Sequence, residues 1–95
     1  MLRFVVCYDI TSDQRRRKVA ECLDAYGDRV QASVFELRVD RALFDKCISE
    51  LSGLIDPSED NVAIYRLCAA CEKERFYLGV GENAERVGEE AVFIV

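Results

Sequence analysis

The alternation of apolar and polar residues predicts strands and helices along most of the chain. Residues 2–9 form a nearly continuous apolar run, typical of a strand that lies centrally in a sheet or is covered on both faces. Residues 29–39, 61–68 and 75–80 also have strand character. We predict 29–39 as extended, with 29–31 as an alternative short separate strand. Apolar residues spaced three and four positions apart predict two helices, each with one buried face. The buried faces consist of Val19, Cys22, Leu23 and Tyr26 in the first helix and of Phe44, Cys47, Ile48 and Leu51 in the second.

Polar residues mark where these helices begin and end. Thr11 with Gln14 fits a capping box, and Ser12 is the alternative cap of the first helix. Gly27 is predicted to stop that helix, and Asp40 to cap the second.

The resulting order is strand, helix, strand, strand, helix, strand, which predicts an α+β, ferredoxin-like βαββαβ domain over residues 1–80. Residues 81–95 form a predicted C-terminal extension. It ends in a β-prone segment, 91–95, that needs a strand to pair with. The 95 residues suffice for one domain with a thin core, which a second subunit would support. The fold alone does not specify a function.

Charge places any nucleic-acid surface in the first half of the chain. The net charge is −5, but residues 1–50 hold nine of the 13 basic residues and nine of the 18 acidic ones. No apolar run approaches the ~20 residues needed to cross a membrane. The first ten residues contain only Arg3 as a basic residue and no small-residue cleavage site. We therefore expect a cytoplasmic protein.

Several kinds of chemistry are absent from the sequence. Without histidine there is no Ser-His-Asp triad and no histidine metal ligand, and no phosphate-binding glycine loop occurs. Three of the five cysteines, Cys7, Cys22 and Cys47, occupy apolar-phase positions and are predicted to be small buried residues. Cys68 and Cys71 form a CxxC pair without a second pair for zinc. We expect a charged turn after it, not the helix that a redox motif opens.

Asp9 directly follows the first strand and is the main candidate for chemistry. It is either a turn residue that bonds local backbone amides or a carboxylate placed for a ligand. One carboxylate makes a poor Mg²⁺ site, because a hard cation needs further oxygen ligands. A two-fold axis near Asp9 would supply the partner's copy.

A basic cluster lies on the first turns of the first helix. Cations there oppose the helix macrodipole, so a phosphate ligand is one explanation for them. The alternative is a solvated face paired to Asp13 and Glu21. The cluster consists of Arg15, Arg16, Arg17 and Lys18.

A polar and aromatic series with a spacing of two follows at Arg29, Gln31, Ser33 and Phe35. In a single strand these residues would share one face, able to hold a nucleic-acid backbone or stack a base. The alternative is that Phe35 is a core residue and that Arg29 extends over apolar surface.

These segments together resemble a known family. The VVCYDIT segment, the basic residues after Asp9 and the GDRVQASVFE segment are similar to CRISPR-associated protein two, and the similarity extends through the IYRL and RFYLG segments. The resemblance implies a homodimeric ferredoxin-like fold whose C-terminal strands complete the partner's sheet. It also implies a role in CRISPR adaptation, bridging the integrase (protein one) and binding a DNA duplex.

Some members of the family are described as metal-dependent endonucleases of RNA or DNA. For those, the resemblance implies that Asp9 is the Mg²⁺ ligand across the dimer axis. By the same resemblance, Tyr8 matches the family's aromatic residue before the aspartate, and Arg16 and Lys18 match its basic positions on the first helix. Arg29, Ser33 and Phe35 match its second-strand segment. Three hypotheses stand: a Mg²⁺-dependent nuclease, a nucleic-acid-binding scaffold, and a small-molecule sensor that only the fold supports.

Overall fold

The computed structural model describes residues 1–74, Phe76 and Leu78. Its elements follow the predicted order and confirm the α+β class. A short third helix follows the last strand and was not predicted. The elements are β1 (Leu2–Asp9), α1 (Asp13–Asp24), β2 (Gly27–Gln31), β3 (Val34–Val39), α2 (Arg41–Leu54), β4 (Asn61–Leu67) and α3 (Ala69–Lys73).

The four strands form one antiparallel sheet in the order β2-β3-β1-β4. The central position of β1 agrees with its continuous apolar run, because it pairs on both edges. Val6 lies opposite Phe35 of β3 on one side and Ile64 of β4 on the other. At the end of β1, Asp9 lies opposite Asn61.

Both long helices pack on the same face of the sheet. Alternate residues of β1, from Phe4 through Val6 to Tyr8, join one buried cluster with Val19 of α1 and Cys47 of α2. The other residues of β1 lie on the opposite face, which carries neither α1 nor α2. We call it the open face; its β1 and β4 members are Arg3, Val5, Cys7, Asp9, Asn61, Ala63, Tyr65 and Leu67.

The helix caps agree with the sequence pattern. Ser12, the alternative to Thr11, is the N-cap of α1 and accepts a hydrogen bond from the Arg15 backbone N–H at 3.2 Å. Asp40 caps α2 as predicted, accepting from the Leu43 backbone N–H at 2.8 Å.

The prediction that Gly27 stops the first helix was wrong. The helix ends at Asp24 with Ala25 as its C-cap, and Gly27 begins β2. A Cβ atom at this glycine would lie 2.2 Å from the Glu36 backbone oxygen of β3. Glycine is therefore required for the close approach of the two strands, not for helix termination.

The segment 29–39 contains two strands, as the predicted element order requires. The chain reverses at Ala32 and Ser33, so the alternative of a short separate strand is the correct one. A register irregularity between Arg29 and Gln31 accompanies the turn. Arg29 and Phe35 therefore meet as cross-strand neighbours of a hairpin, not as residues on one face of a single strand.

Two predictions fall on residues that are mostly outside the described part of the chain. Of the expected strand at 75–80, only Phe76 and Leu78 are described, and both are exposed. The extension at 81–95 lies outside the described residues altogether. Among residues 1–74, no helix is both long enough and apolar enough to span a membrane.

Candidate nucleic-acid interface

An open groove of about 470 Å³ lies between the N-terminal half of α1 and the β2–β3 turn. Three arginines reach it from two elements, so it concentrates positive charge on a protein whose net charge is negative. A groove of this kind suits a phosphate backbone. Its lining residues are Asp13, Arg16, Arg17, Ala20, Arg29, Ala32 and Ser33.

Arg16 is held at the helix end of this groove. Its Nη1 donates to the Ile10 backbone oxygen at 2.9 Å, and its Nη2 pairs with Asp13 one turn away. The expected pairing to Asp13 is therefore present for Arg16. These bonds hold the Arg16 guanidinium above the start of α1. Less side-chain entropy would therefore be lost when it binds a phosphate.

Arg29 is held at the hairpin end. Its Nη2 donates to the Ala32 backbone oxygen at 2.8 Å and lies 3.4 Å from the Tyr8 hydroxyl oxygen. The Tyr8 hydroxyl donates to the same Ala32 oxygen at 3.2 Å. The β2–β3 turn is tied to the end of β1 in addition by a bond from the Tyr8 N–H to the Ser33 oxygen at 3.1 Å.

Two predicted nucleic-acid-binding aromatics lie beneath the groove. Phe35 is 0% exposed and Tyr8 5% exposed, with ring centroids 6.2 Å apart. The Arg29 guanidinium carbon lies 5.5 Å from the Phe35 ring centroid, a cation–π contact. A fully buried ring cannot stack a base, so Phe35 acts as the core residue of the alternative interpretation and supports Arg29 from below.

Arg15 points away from the groove. Its Nε donates to Asp60 Oδ2 at 2.8 Å and its Nη2 to Glu59 Oε2 at 3.0 Å, both in the loop before β4. The hydrogen bond to Asp60 is the main cause that raises the pKa of Arg15 and lowers that of Asp60 to about 2. Arg15 thus joins α1 to this loop.

The remaining two basic residues of the cluster differ in position. Arg17 lines the groove and is exposed, whereas Lys18 is exposed outside the groove. Within residues 1–74, neither side chain makes a hydrogen bond or ion pair. The groove therefore brings together Arg16, Arg17, Arg29 and Ser33.

Asp9 lies at the same end of the sheet as the groove but on the open face. It is exposed, and its carboxylate makes no hydrogen bond or ion pair with the described residues. The same part of the chain holds no group of three or more Asp, Glu, His or Cys side chains that could bind a metal. One copy of the described chain thus does not build a Mg²⁺ site around Asp9.

The five cysteines differ in burial. Cys47 is buried as predicted, while Cys7 and Cys22 are half-buried. Burial raises the pKa of Cys22 to about 12 and that of Cys47 to about 11. Cys68 and Cys71 are exposed, and contrary to prediction they lie at the start of a helix, α3, with Cys68 as its N-cap.

Sequence reasoning missed the residues that hold the arginines in place. Asp60 and the carbonyls of Ile10 and Ala32 each orient one arginine. The only available signal was the acidic segment before β4, which contains Glu59 and Asp60. Backbone carbonyls leave no signal in a sequence.

The sheet order, with two helices on one face, defines a ferredoxin-like α+β protein, and the arginine-lined groove gives it an anion-binding surface. A sequence model of the family described as CRISPR associated protein Cas2 matches residues 1–75. The chain therefore belongs to the Cas2 family.

Individual relatives agree with this assignment. The chain is 51% identical over 79 residues to the CRISPR-associated endoribonuclease Cas2 4 of Rhodospirillum rubrum, a match that covers 83% of this chain and 64% of that relative. The structure of Streptococcus pyogenes Cas2 superposes with a TM-score of 0.74 at 33% identity, covering 81% of this chain and 99% of that one. A chain of a partial Cas6-RT-Cas1–Cas2 complex gives a TM-score of 0.68 at 29% identity, covering 79% and 82% respectively.

Proposed function

We propose that this protein acts in CRISPR adaptation as a homodimeric scaffold that binds duplex DNA and presents it to the Cas1 integrase. The observation that carries the proposal is the groove in which Arg16, Arg17 and Arg29 converge. The Cas2 family membership and the similarity to a chain of a complex that contains Cas1 support the choice of partner.

The arrangement of the arginines favours backbone contacts over base readout. Arg16 and Arg29 are held by backbone carbonyls, and their planar guanidinium groups match phosphate oxygens. The aromatic rings described near them, Tyr8 and Phe35, are buried, so residues 1–74 supply no base-stacking platform beside the charge. Such a surface binds with little dependence on sequence, as a protein that captures varied DNA requires.

The open face supports the homodimer. Val5, Cys7 and Ala63 make it partly apolar, and Tyr65 is 60% exposed on it. Apolar residues on a sheet face that neither α1 nor α2 covers favour burial against a second surface. A two-fold axis across this face would place the two Asp9 carboxylates at the same interface.

A second candidate function is metal-dependent cleavage of RNA or DNA. Its specific support is the exposed Asp9 without a described partner, together with the endoribonuclease name of the relative from R. rubrum. We propose that two copies of Asp9, one from each protomer, would hold Mg²⁺, because one copy is insufficient. Bound Mg²⁺ would polarise a phosphoryl oxygen and acidify a bound water.

Titration of the purified full-length protein with a labelled DNA duplex tests the scaffold proposal. Fluorescence anisotropy should show binding without Mg²⁺ that weakens steeply between roughly 50 and 200 mM salt, because phosphate contacts release counterions. Addition of the Cas1 integrase should strengthen binding. Absence of salt-dependent binding both alone and with the integrase would contradict the proposal.

A further inference from the structure

Two exposed cysteines outside the groove lie close enough to react with each other. The Sγ atoms of Cys68 and Cys71 are 3.2 Å apart, and both thiols are free. A disulfide has an S–S distance of about 2.05 Å, so closure requires a movement of only about 1 Å. Neither residue belongs to the groove or to the site at Asp9.

The two thiols have different chemical characters. The Cys71 backbone N–H donates to Cys68 Sγ at 3.3 Å, and this bond is the main cause that lowers the pKa of Cys68. The contact with Cys68 raises the pKa of Cys71. A thiolate at Cys68 therefore has a protonated thiol beside it, as in a pair made of an attacking and a resolving cysteine.

The two cysteines on the long helices differ from this pair in thiol pKa. Cys22 and Cys47 lie between α1 and α2, and burial raises the pKa of both. Since the thiolate is the reactive form, these two should be slow in exchange. The described residues offer Cys68 and Cys71 no additional ligands for a metal, and a closed zinc site needs four.

We propose that Cys68 and Cys71 form a reversible dithiol–disulfide site whose substrate is a low-molecular-weight disulfide. The Cys68 thiolate attacks one sulfur of that disulfide and forms a mixed disulfide with it, while the small molecule's S–S bond breaks and one small thiolate leaves and takes up a proton from solvent. Cys71 then loses its proton to solvent and attacks Cys68 Sγ, releasing the second small thiolate, which takes up a proton. The protein dithiol loses two electrons, and the small disulfide is reduced to two thiols.

The position of the pair determines what its oxidation would fix. Glu72, directly after Cys71, forms ion pairs with Arg3 and Arg38 of the sheet. The helix turn that begins at Cys68 is thus attached to β1 and β3. A disulfide would lock this turn and with it the direction in which the chain leaves β4.

The test uses the full-length protein, glutathione disulfide and timed alkylation with peptide mass spectrometry. We expect the wild type to lose both thiols together without retaining glutathione, and dithiothreitol to restore them. Cys71→Ser should accumulate one glutathione on Cys68. Cys68→Ser keeps a good N-cap residue and should react at least about tenfold more slowly.

Cys22→Ser is the matched control and should close the disulfide at the wild-type rate. Three outcomes would overturn the proposal: Cys68 reacting no faster than Cys22, glutathione remaining on wild-type Cys68 without closure, or bound zinc that protects both thiols. Circular dichroism of each variant separates loss of fold from loss of reactivity.

Discussion

The guanidinium of Arg15 and the carboxylate of Asp60 join the start of α1 to the loop before β4, with Nε and Oδ2 2.8 Å apart. The Asp60 side chain is shielded from solvent and also accepts hydrogen bonds from the backbone N–H groups of Thr11, at 3.3 Å, and Asp56, at 2.8 Å. The hydrogen bond from Arg15 is the main cause that lowers the pKa of Asp60 to about 2. This network positions the helix that carries Arg16 and Arg17.

Protein stability should therefore fall at acid pH through Asp60. The pKa of Asp60 is about 2 in the folded protein, against an ordinary value of 3.8. Its contribution to the free energy of unfolding is therefore complete above pH 3.8 and is lost as the pH falls toward 2. Asp60→Asn should lower the thermal midpoint at neutral pH and flatten the acid limb between these values. Glu59→Gln, which removes the more exposed partner of Arg15, is the control and should change the profile less.

Gly27 should be far less tolerant of a methyl group than Gly53. A Cβ at Gly27 meets the Glu36 backbone oxygen, whereas a Cβ at Gly53 in α2 has nothing within 4 Å. Gly27→Ala should destabilise the protein by about 1–3 kcal/mol through forced strand separation. Gly53→Ala should stabilise it by up to about 1 kcal/mol through helix propensity. Urea unfolding of both variants measures the difference, and equal effects would contradict the strand geometry.

The periodicity of the sequence predicted the elements that bury a continuous stripe, including β1 and α2. It left open whether the chain reverses near Ala32 and Ser33, because alternating residues on both sides of a tight turn look like one strand. It could not pair Arg15 with Asp60 either, since 45 positions separate them and only packing brings them together. The sequence therefore predicted the arginines that line the groove, but not how the fold arranges them.

The open face should mediate dimerisation. Tyr65→Glu places a charge on that face, on the outer strand β4, where desolvation on association would be costly. We expect light scattering to show a shift from dimer to monomer. Leu43→Glu is the control, because Leu43 is also exposed but lies on α2, and it should leave the dimer intact. A monomeric wild type, or a Tyr65→Glu variant that stays dimeric, would contradict this use of the face.

Asp9 separates the two candidate functions. It lies on the face opposite the groove residues, so Asp9→Ala should leave DNA affinity within about twofold of the wild type. If the protein cleaves RNA or DNA with Mg²⁺, that cleavage should disappear in Asp9→Ala. Gel-based cleavage assays beside anisotropy measure both properties on the same preparations. Undiminished metal-dependent cleavage in the variant would exclude Asp9 as the metal ligand.

The most direct test of the central claim compares the DNA affinity of Arg17→Gln with that of Arg41→Gln. Arg17 lines the groove without a described ion pair, while Arg41 is an exposed arginine on α2 that pairs with Asp45. Anisotropy titrations across salt should show Arg17→Gln weakening duplex binding about fivefold, or ~1 kcal/mol, and reducing the salt slope by about one unit. Arg41→Gln should match the wild type. Equal loss in both variants, or no loss in Arg17→Gln, would contradict binding through the groove.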